Sequence, residues 1–259
     1  MDLGLKGKVF IVTGGGSGIG EAITRGVLEE GGNVSIVARK PIEEPFLKEF
    51  INQHSTRCLF IATELTDMAA CKNAIEQTIS RFGKIDCLVN NAGKNDGVGL
   101  EGGNPEAFEE SLSSNLTHYY AMAHYALPYL KEAVGNIINI SSKAAITGQG
   151  NTSGYVAAKG AQLALTREWA VELIKYNIRV NAIIPAEVYT PLYDSWIQTF
   201  ENPQEKLRSI TDKIPLGKRF TTSEEIANMA LFLSSTRAAH ITGQHLFVDG
   251  GYTHLDRVI

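Results

Sequence analysis

The sequence predicts a single-domain α/β fold, a doubly wound parallel sheet of about seven strands with helices on both faces. Seven short apolar runs recur along the 259 residues, helical stretches separate them, and a glycine-rich turn stands where the first run meets the first helix. The runs are Lys8 to Val12, Val34 to Ala38, Cys58 to Ala62, Cys87 to Val89, Asn136 to Ile140, Arg179 to Ile183 and His245 to Val248. None alternates apolar with polar residues, so each reads as a strand buried on both faces. Helical patterns occupy 18–30, 43–53, 68–81, 105–132, 152–176 and 223–235. Strand and helix therefore alternate, as a doubly wound sheet requires. No linker or repeat divides residues 1–259, but 186–222 break the rhythm with aromatics and three prolines and read as a substrate lid.

Composition narrows the partners. A formal charge of −4, with no basic cluster, gives no footprint for nucleic acid or an anionic membrane, and leaves a small molecule as the expected ligand. The three cysteines, Cys58, Cys71 and Cys87, lack metal-ligand spacing and read as buried thiols, so no metal is expected. The first apolar run is too short for a signal peptide or membrane span, and a cytoplasmic protein is expected.

Ligands of open α/β sheets gather beyond the carboxyl ends of the strands. Thr13-Gly14-Gly15-Gly16-Ser17-Gly18-Ile19-Gly20 stands there, where glycines let the backbone approach a pyrophosphate and a helix N-terminus offers free N–H groups. Its spacing is not GxGxxG, and a plain glycine turn would look similar. The second strand ends at Arg39-Lys40, where a site preferring NAD usually carries a carboxylate for the ribose 2′-hydroxyl. A guanidinium there suits a 2′-phosphate, so NADP is favoured and NAD remains open; the alternative is a solvated basic pair.

Tyr155 and Lys159 are spaced to share one face of a helix. A free phenol, with a pKa of about 10, is a poor base at neutral pH. A neighbouring ammonium and a positive nicotinamide ring would both favour its ionised form. Tyr155 is then the base in oxidation and the acid in reduction, while Ser142 can hydrogen-bond the reacting oxygen. Taken singly, Lys159 could as well be a snorkelling helix lysine and Asn115 a helix-distorting asparagine.

With Asn139-Ile140-Ser141-Ser142, Tyr155-Val156-Ala157-Ala158-Lys159, Asn90-Asn91-Ala92-Gly93, Asn115 and the glycine loop in this order, the chain resembles the short-chain dehydrogenase/reductase family from Lys8 to about Tyr252. The resemblance implies a Rossmann-type fold, a dimer or tetramer, and an NAD(P)-dependent oxidoreductase acting on a CH–OH group. It implies catalytic roles for Asn115, Ser142, Tyr155 and Lys159, with Lys159 also holding the nicotinamide ribose and Asn115 tying a water to Lys159. It places the cofactor on Gly14, Gly16, Ser17, Gly18, Ile19, Gly20, Arg39, Lys40, Asn91, Ala92, Gly93, Tyr155, Lys159 and Pro185. Glu64-Leu65 stands where the family has Asp-Val beside adenine, and Val188 and Thr190 stand where it binds the carboxamide. Ala186 replaces a common glycine, a change that matters little if its φ is negative.

The loops expected to form the substrate pocket are polar, and Asn95, Asp96, Ser142, Lys143, Gln149, Tyr155, Glu187 and Trp196 are its candidate residues. Hydroxyl partners beside an aromatic face suit a sugar. The same loops also carry Lys94, Tyr189 and Tyr193, and several of this wider set could instead be solvated loop residues, Lys94, Lys143 and Tyr193 first among them. The stretches SSKAAITGQGNTSGY, PAEVYTPLYDSWIQTF and VDGGYTHLDR resemble the L-fucose dehydrogenase branch of the bacterial members of the family. That likeness implies oxidation of an aldose at its anomeric carbon to a lactone. The competing expectations are a 3-oxoacyl carrier-protein reductase, which would need a basic patch and an apolar tunnel, and a non-catalytic dinucleotide-binding regulator, which would not need the Tyr/Lys pair.

Overall fold

A computed structural model of the chain describes residues 2–40 and 45–255. The strands are β1 (Val9–Thr13), β2 (Asn33–Ala38), β3 (Cys58–Ala62), β4 (Cys87–Asn90), β5 (Asn136–Ile140), β6 (Arg179–Pro185) and β7 (His245–Val248). All neighbours pair in parallel in the order β3-β2-β1-β4-β5-β6-β7. Chain direction across the sheet reverses between β1 and β4, which places the switch-point crevice over the glycine turn.

Ten α-helices among the described residues connect the strands: α1 (Gly18–Glu29), α2 (Pro45–Gln53), α3 (Met68–Phe82), α4 (Pro105–Leu112), α5 (His118–Ala133), α6 (Ala144–Thr147), α7 (Ser153–Leu173), α8 (Pro191–Ile197), α9 (Pro203–Thr211) and α10 (Ser223–Ser234). Residues 43–44, where the second helix was expected to begin, lie outside the described residues, as do Asp256 and Arg257 of the C-terminal motif.

Alternate strand side chains feed two apolar layers. Phe10, Val12, Ile36 and Val89 pack with α1 and α10 on one face, where Ile23, Val27 and Leu231 are buried. Ile11, Val37, Leu88 and Val180 pack on the other with α3, α5 and α7 through Ile75, Met122 and Trp169. The strands are thus covered on both faces, and each apolar run reads as continuous. Gly26 lets α1 and α10 approach closely, because a Cβ there would lie 2.7 Å from Leu231 Cδ1. Asp67 caps α3 by accepting from Ala69 and Ala70 N–H, and Gly83 ends it at φ 75°. Cys58, Cys71 and Cys87 are buried free thiols, as expected. Among the described residues no helix is long and apolar enough to cross a membrane.

Two expectations need correction. The stretch expected as one helix over 105–132 is broken by a π-helical turn at Ser113–Thr117. There Asn115 Nδ2 donates to Ser111 O, and Asn115 O accepts from Gln162 Nε2 at 2.7 Å, so side-chain bonds pull the backbone off the regular ladder. Periodicity alone does not reveal one inserted residue. Nor is the region 186–222 irregular throughout, since it holds α8 and α9. Thr190-Pro191 and Asn202-Pro203 start them, each a capping side chain followed by proline at the first helical position, which is a legible start signal.

Candidate active site

The glycine turn closes against the loop after β4. Asn91 and Ala92 N–H donate to Thr13 Oγ1 at 2.9 and 3.1 Å, and Asn91 Nδ2 donates to Thr13 O at 2.9 Å. Gly14 has φ 66°, and a Cβ on Gly20 would lie 2.2 Å from Gly14 O, so this cradle closes only on glycine. Ser17 makes no side-chain cap on α1, and the first N–H groups of that helix stay available for a phosphate. Gly16 and Ile19 are half-buried beside the exposed Ser17. The turn therefore fits a dinucleotide pyrophosphate.

At the end of β2, Arg39 Nη1 lies 3.6 Å from Glu64 Oε2, both side chains being well exposed, with Lys40 also exposed and Leu65 buried beneath. Partial burial raises the Glu64 pKa, but the Thr66 hydrogen bonds and the Arg39 charge outweigh it and hold the carboxyl below its usual range. Thr190 packs on the phosphate turn from the other side, since a Cβ on Gly18 would lie 3.2 Å from Thr190 Cγ2. Val188 is buried and bridges Thr221, Pro185 ends β6 buried, and Ala186 is not among the positive-φ residues, so its methyl is unstrained.

Tyr155 and Lys159 lie on the first turns of α7. The Ser142 hydroxyl, just past β5, stands near the Tyr155 phenol and accepts from Ala144 N at 3.2 Å. Lys159 Nζ lies 5.6 Å from the Tyr155 ring centre and donates to Ile140 O at 2.7 Å. Gly93 is the contact point of the β4 loop with this group: a Cβ there would sit 3.0 Å from Asn115 Oδ1 and 3.6 Å from Lys159 Nζ.

Burial governs the electrostatics of this pair. Burial pushes the Tyr155 phenol up, with the Ser142 hydroxyl opposing it only in part, and burial brings the Lys159 amine down to about 7. In the ligand-free protein the amine therefore does not make the phenol acidic. It sits close to half-charged at neutrality, and further positive charge at the site is needed to favour phenolate. The backbone carbonyl of Asn115 accepts from Gln162 Nε2, which ties the π turn to α7.

Beyond the ends of β5 and β6 lies a second cluster. The register pairs Ile140 with Ile183, and Lys143 N–H donates to Pro185 O at 2.9 Å, which carries Lys143 to Glu187. Lys143 Nζ and Glu187 Oε1 form an ion pair with only 11% and 14% of their side chains exposed, so Lys143 is not the solvated loop residue it could have been. Tyr193 donates to Glu187 Oε2 at 2.9 Å, and the Tyr252 ring lies 3.9 Å from Lys143 Nζ. Burial, then the Glu187 charge, hold the Tyr193 phenol well above its ordinary value, so it stays a donor. Trp196, 42% exposed, packs edge-on to Tyr193 at 5.2 Å and to Phe200 at 5.0 Å.

Of the other pocket candidates, Asp96 Oδ1 is buried with no partner among the described residues, and Asn95 Oδ1 accepts from the Thr152 hydroxyl. The bond from Gly154 N–H to Val98 O docks their loop on the start of α7, beside Tyr155. Gln149 is exposed and is not joined to the cluster by any bond described here. Tyr193 and Tyr252 were not among the chosen candidates, and their aromatic stretches were the available signal.

Comparison with known proteins follows this geometry. The family model described as enoyl-(acyl carrier protein) reductase matches residues 14–253. L-fucose dehydrogenase of Rattus norvegicus is 36% identical over 247 residues, 95% of this chain and 89% of that one. The 3-oxoacyl-[acyl-carrier-protein] reductase FabG of Thermotoga maritima is 33% identical over 95% of this chain and 98% of its own. Among solved structures, the Cj0485 dehydrogenase superposes with a TM-score of 0.96 at 46% identity, over 100% of this chain and 99% of that one. Thermoplasma acidophilum aldohexose dehydrogenase gives 0.90 at 29%, over 100% and 99%. L-sorbose reductase of Gluconobacter frateurii, solved with NADPH and L-sorbose, gives 0.91 at 31%, over 99% and 100%.

Proposed function

Since the chain belongs to the short-chain dehydrogenase/reductase family, we propose that it oxidises the anomeric carbon of a neutral aldose, L-fucose or a related sugar, to the lactone. It is an NAD(P)-dependent oxidoreductase of CH–OH groups, and the bound nicotinamide supplies the hydride acceptor. Gly14, Gly16, Ser17, Gly18, Ile19 and Gly20 hold the pyrophosphate, and Asn91, Ala92 and Gly93 line its inner edge. Glu64 and Leu65 border the adenine, Pro185, Val188 and Thr190 meet the carboxamide, and Lys159 holds the ribose. Ser142 steadies the reacting oxygen and Tyr155 Oη takes its proton.

One observation carries the substrate reading: Lys143, the residue after Ser142, forms a largely buried ion pair with Glu187, which also accepts from Tyr193. The carboxylate accepts from one hydroxyl and the ammonium beside it donates to the next, which is how neighbouring sugar hydroxyls are read. Asp96 Oδ1 offers a further acceptor, Asn95 and Gln149 border the opening, and Trp196 gives a face for sugar C–H groups. Residues 186–222 act as the lid over this pocket. The identity to FabG makes a 3-oxoacyl reductase the second reading. A screen of reduced-nicotinamide absorbance with aldoses, polyols and 3-oxoacyl thioesters separates them. Aldose turnover is expected, and turnover of thioesters alone would overturn the sugar reading.

Arg39 and Lys40 are placed for an adenosine 2′-phosphate, so NADP is the preferred dinucleotide. Arg39→Ala is expected to raise the Michaelis constant for NADP roughly tenfold and to change that for NAD about twofold at most. Equal effects on both would refute the assignment.

The protein acts as a homo-oligomer through α5 and α7, whose Tyr120 and Val171 are exposed in the single chain, as is Ile174 just past α7. Light scattering is expected to give a dimer or tetramer, and a monomer at micromolar concentration would contradict this.

A further inference from the structure

Beneath Lys159 lies a hydrogen-bonded group that the reaction as proposed does not use. Tyr119, at the start of α5 and wholly buried, donates its hydroxyl to Ile140 O at 3.0 Å and accepts from Lys159 Nζ at 3.3 Å. Gln162, one turn after Lys159 and also wholly buried, stands near the same phenol and donates Nε2 to Asn115 O at 2.7 Å. Three elements are thereby tied together: the end of β5, the π turn before α5, and the catalytic face of α7.

We infer that Tyr119 is a positioning residue for Lys159, its phenol oxygen serving as a fixed acceptor that keeps the buried amine protonated and aimed, with the bond to Ile140 O holding that phenol in place. A buried ammonium needs acceptors for its three N–H groups. Ile140 O and Tyr119 Oη take two and leave the third for a ligand hydroxyl. The titratable groups facing the amine are Tyr155 from its own helix and Tyr119 and His118 from α5. Burial and the Lys159 charge bring His118 down to about 4, so it is neutral at working pH and adds no charge. Tyr119, itself pushed up by burial, remains a neutral phenol. The acceptor oxygen thus offsets part of the penalty on the charged amine without forming an ion pair that would hold it away from the ligand.

The inference rests on the reading that Lys159 assists Tyr155 as base, and it predicts a change in pH profile rather than a uniform loss. Without the Tyr119 hydroxyl, Lys159 is charged only at lower pH, the phenolate of Tyr155 is less favoured, and the acid limb of sugar oxidation moves upward. For Tyr119→Phe, kcat/KM at saturating NADP should show that limb raised by roughly half to one pH unit. Activity below it should be about threefold to tenfold lower and recover at alkaline pH, since one unit of pKa is a tenfold change. The dissociation constant for NADP should stay within about twofold of the original. Gln162→Met keeps the volume, removes the amide that ties α7 to Asn115 O beside the phenol, and should move the limb the same way by less. A limb left in place in Tyr119→Phe, or in Gln162→Met should the first variant not fold, overturns the inference, as does a loss equal at every pH. Tyr155→Phe separates the two levels. An inactive Tyr155→Phe with an unmoved Tyr119→Phe limb defeats only this inference, whereas an active Tyr155→Phe defeats the reading beneath it.

Discussion

Tyr155→Phe is expected to lower the rate of sugar oxidation at neutral pH by roughly a thousandfold, the usual size of a positioned general base, in a protein that stays folded and saturable with dinucleotide. Removing one oxygen leaves the ring and its packing, so the loss falls on proton transfer. The electrostatics sharpen this into a second measurement. In the ligand-free protein burial raises the phenol and brings Lys159 down to about 7, so Tyr155 alone is a worse base than a free tyrosine. Positive charge arriving with the oxidised cofactor shifts both groups, because it favours phenolate. Ultraviolet titration of ligand-free protein, taken as the difference between wild type and Tyr155→Phe, should place this phenol above pH ~10. The acid limb of kcat/KM at saturating NADP should lie well below that. Coincidence of the two values would mean that the bound cofactor does not make the base.

Much of this arrangement was legible in the sequence, because it depends on short-range spacing. Strand runs buried on both faces, the glycine turn and the four-residue step from Tyr155 to Lys159 are local patterns, and the structure puts them at one end of the sheet. What escaped depends on side chains far apart in sequence. Lys143 and Glu187 meet only because the β5–β6 register brings Lys143 N–H to Pro185 O, and an isolated loop lysine gives no hint of that partner. Tyr119 is one of nine tyrosines, and its contact with Lys159 follows from a π turn that periodicity smooths over. Burial, which acts on both Tyr155 and Lys159, is likewise a product of the tertiary fold and has no local pattern in the sequence.

Glu187→Gln should lower kcat/KM for the sugar by roughly a hundredfold, about 2.7 kcal/mol, while NADP binds as before. The carboxylate has two partners, and the amide serves both badly, turning an N–H toward either Lys143 Nζ or Tyr193 Oη, each of which is a donor to Glu187. Part of the loss is a sugar hydroxyl without its acceptor, and part is an ammonium left unpaired in a pocket where 11% of its side chain is exposed. A double-mutant cycle distinguishes the two parts. Lys143→Met alone leaves Glu187 uncompensated and should cost about as much as Glu187→Gln. With both changed, no buried charge is stranded, so the combined loss should fall short of the sum of the single losses by at least ~1 kcal/mol. Full additivity would mean that the two residues act on the sugar independently and that their ion pair has no part in recognition. If the dissociation constant for NADP rises in step with the sugar defect, the pair belongs to the cofactor site or to folding. The sugar would then have to be read elsewhere, with Asp96 Oδ1 the remaining buried acceptor on the loop beside Tyr155.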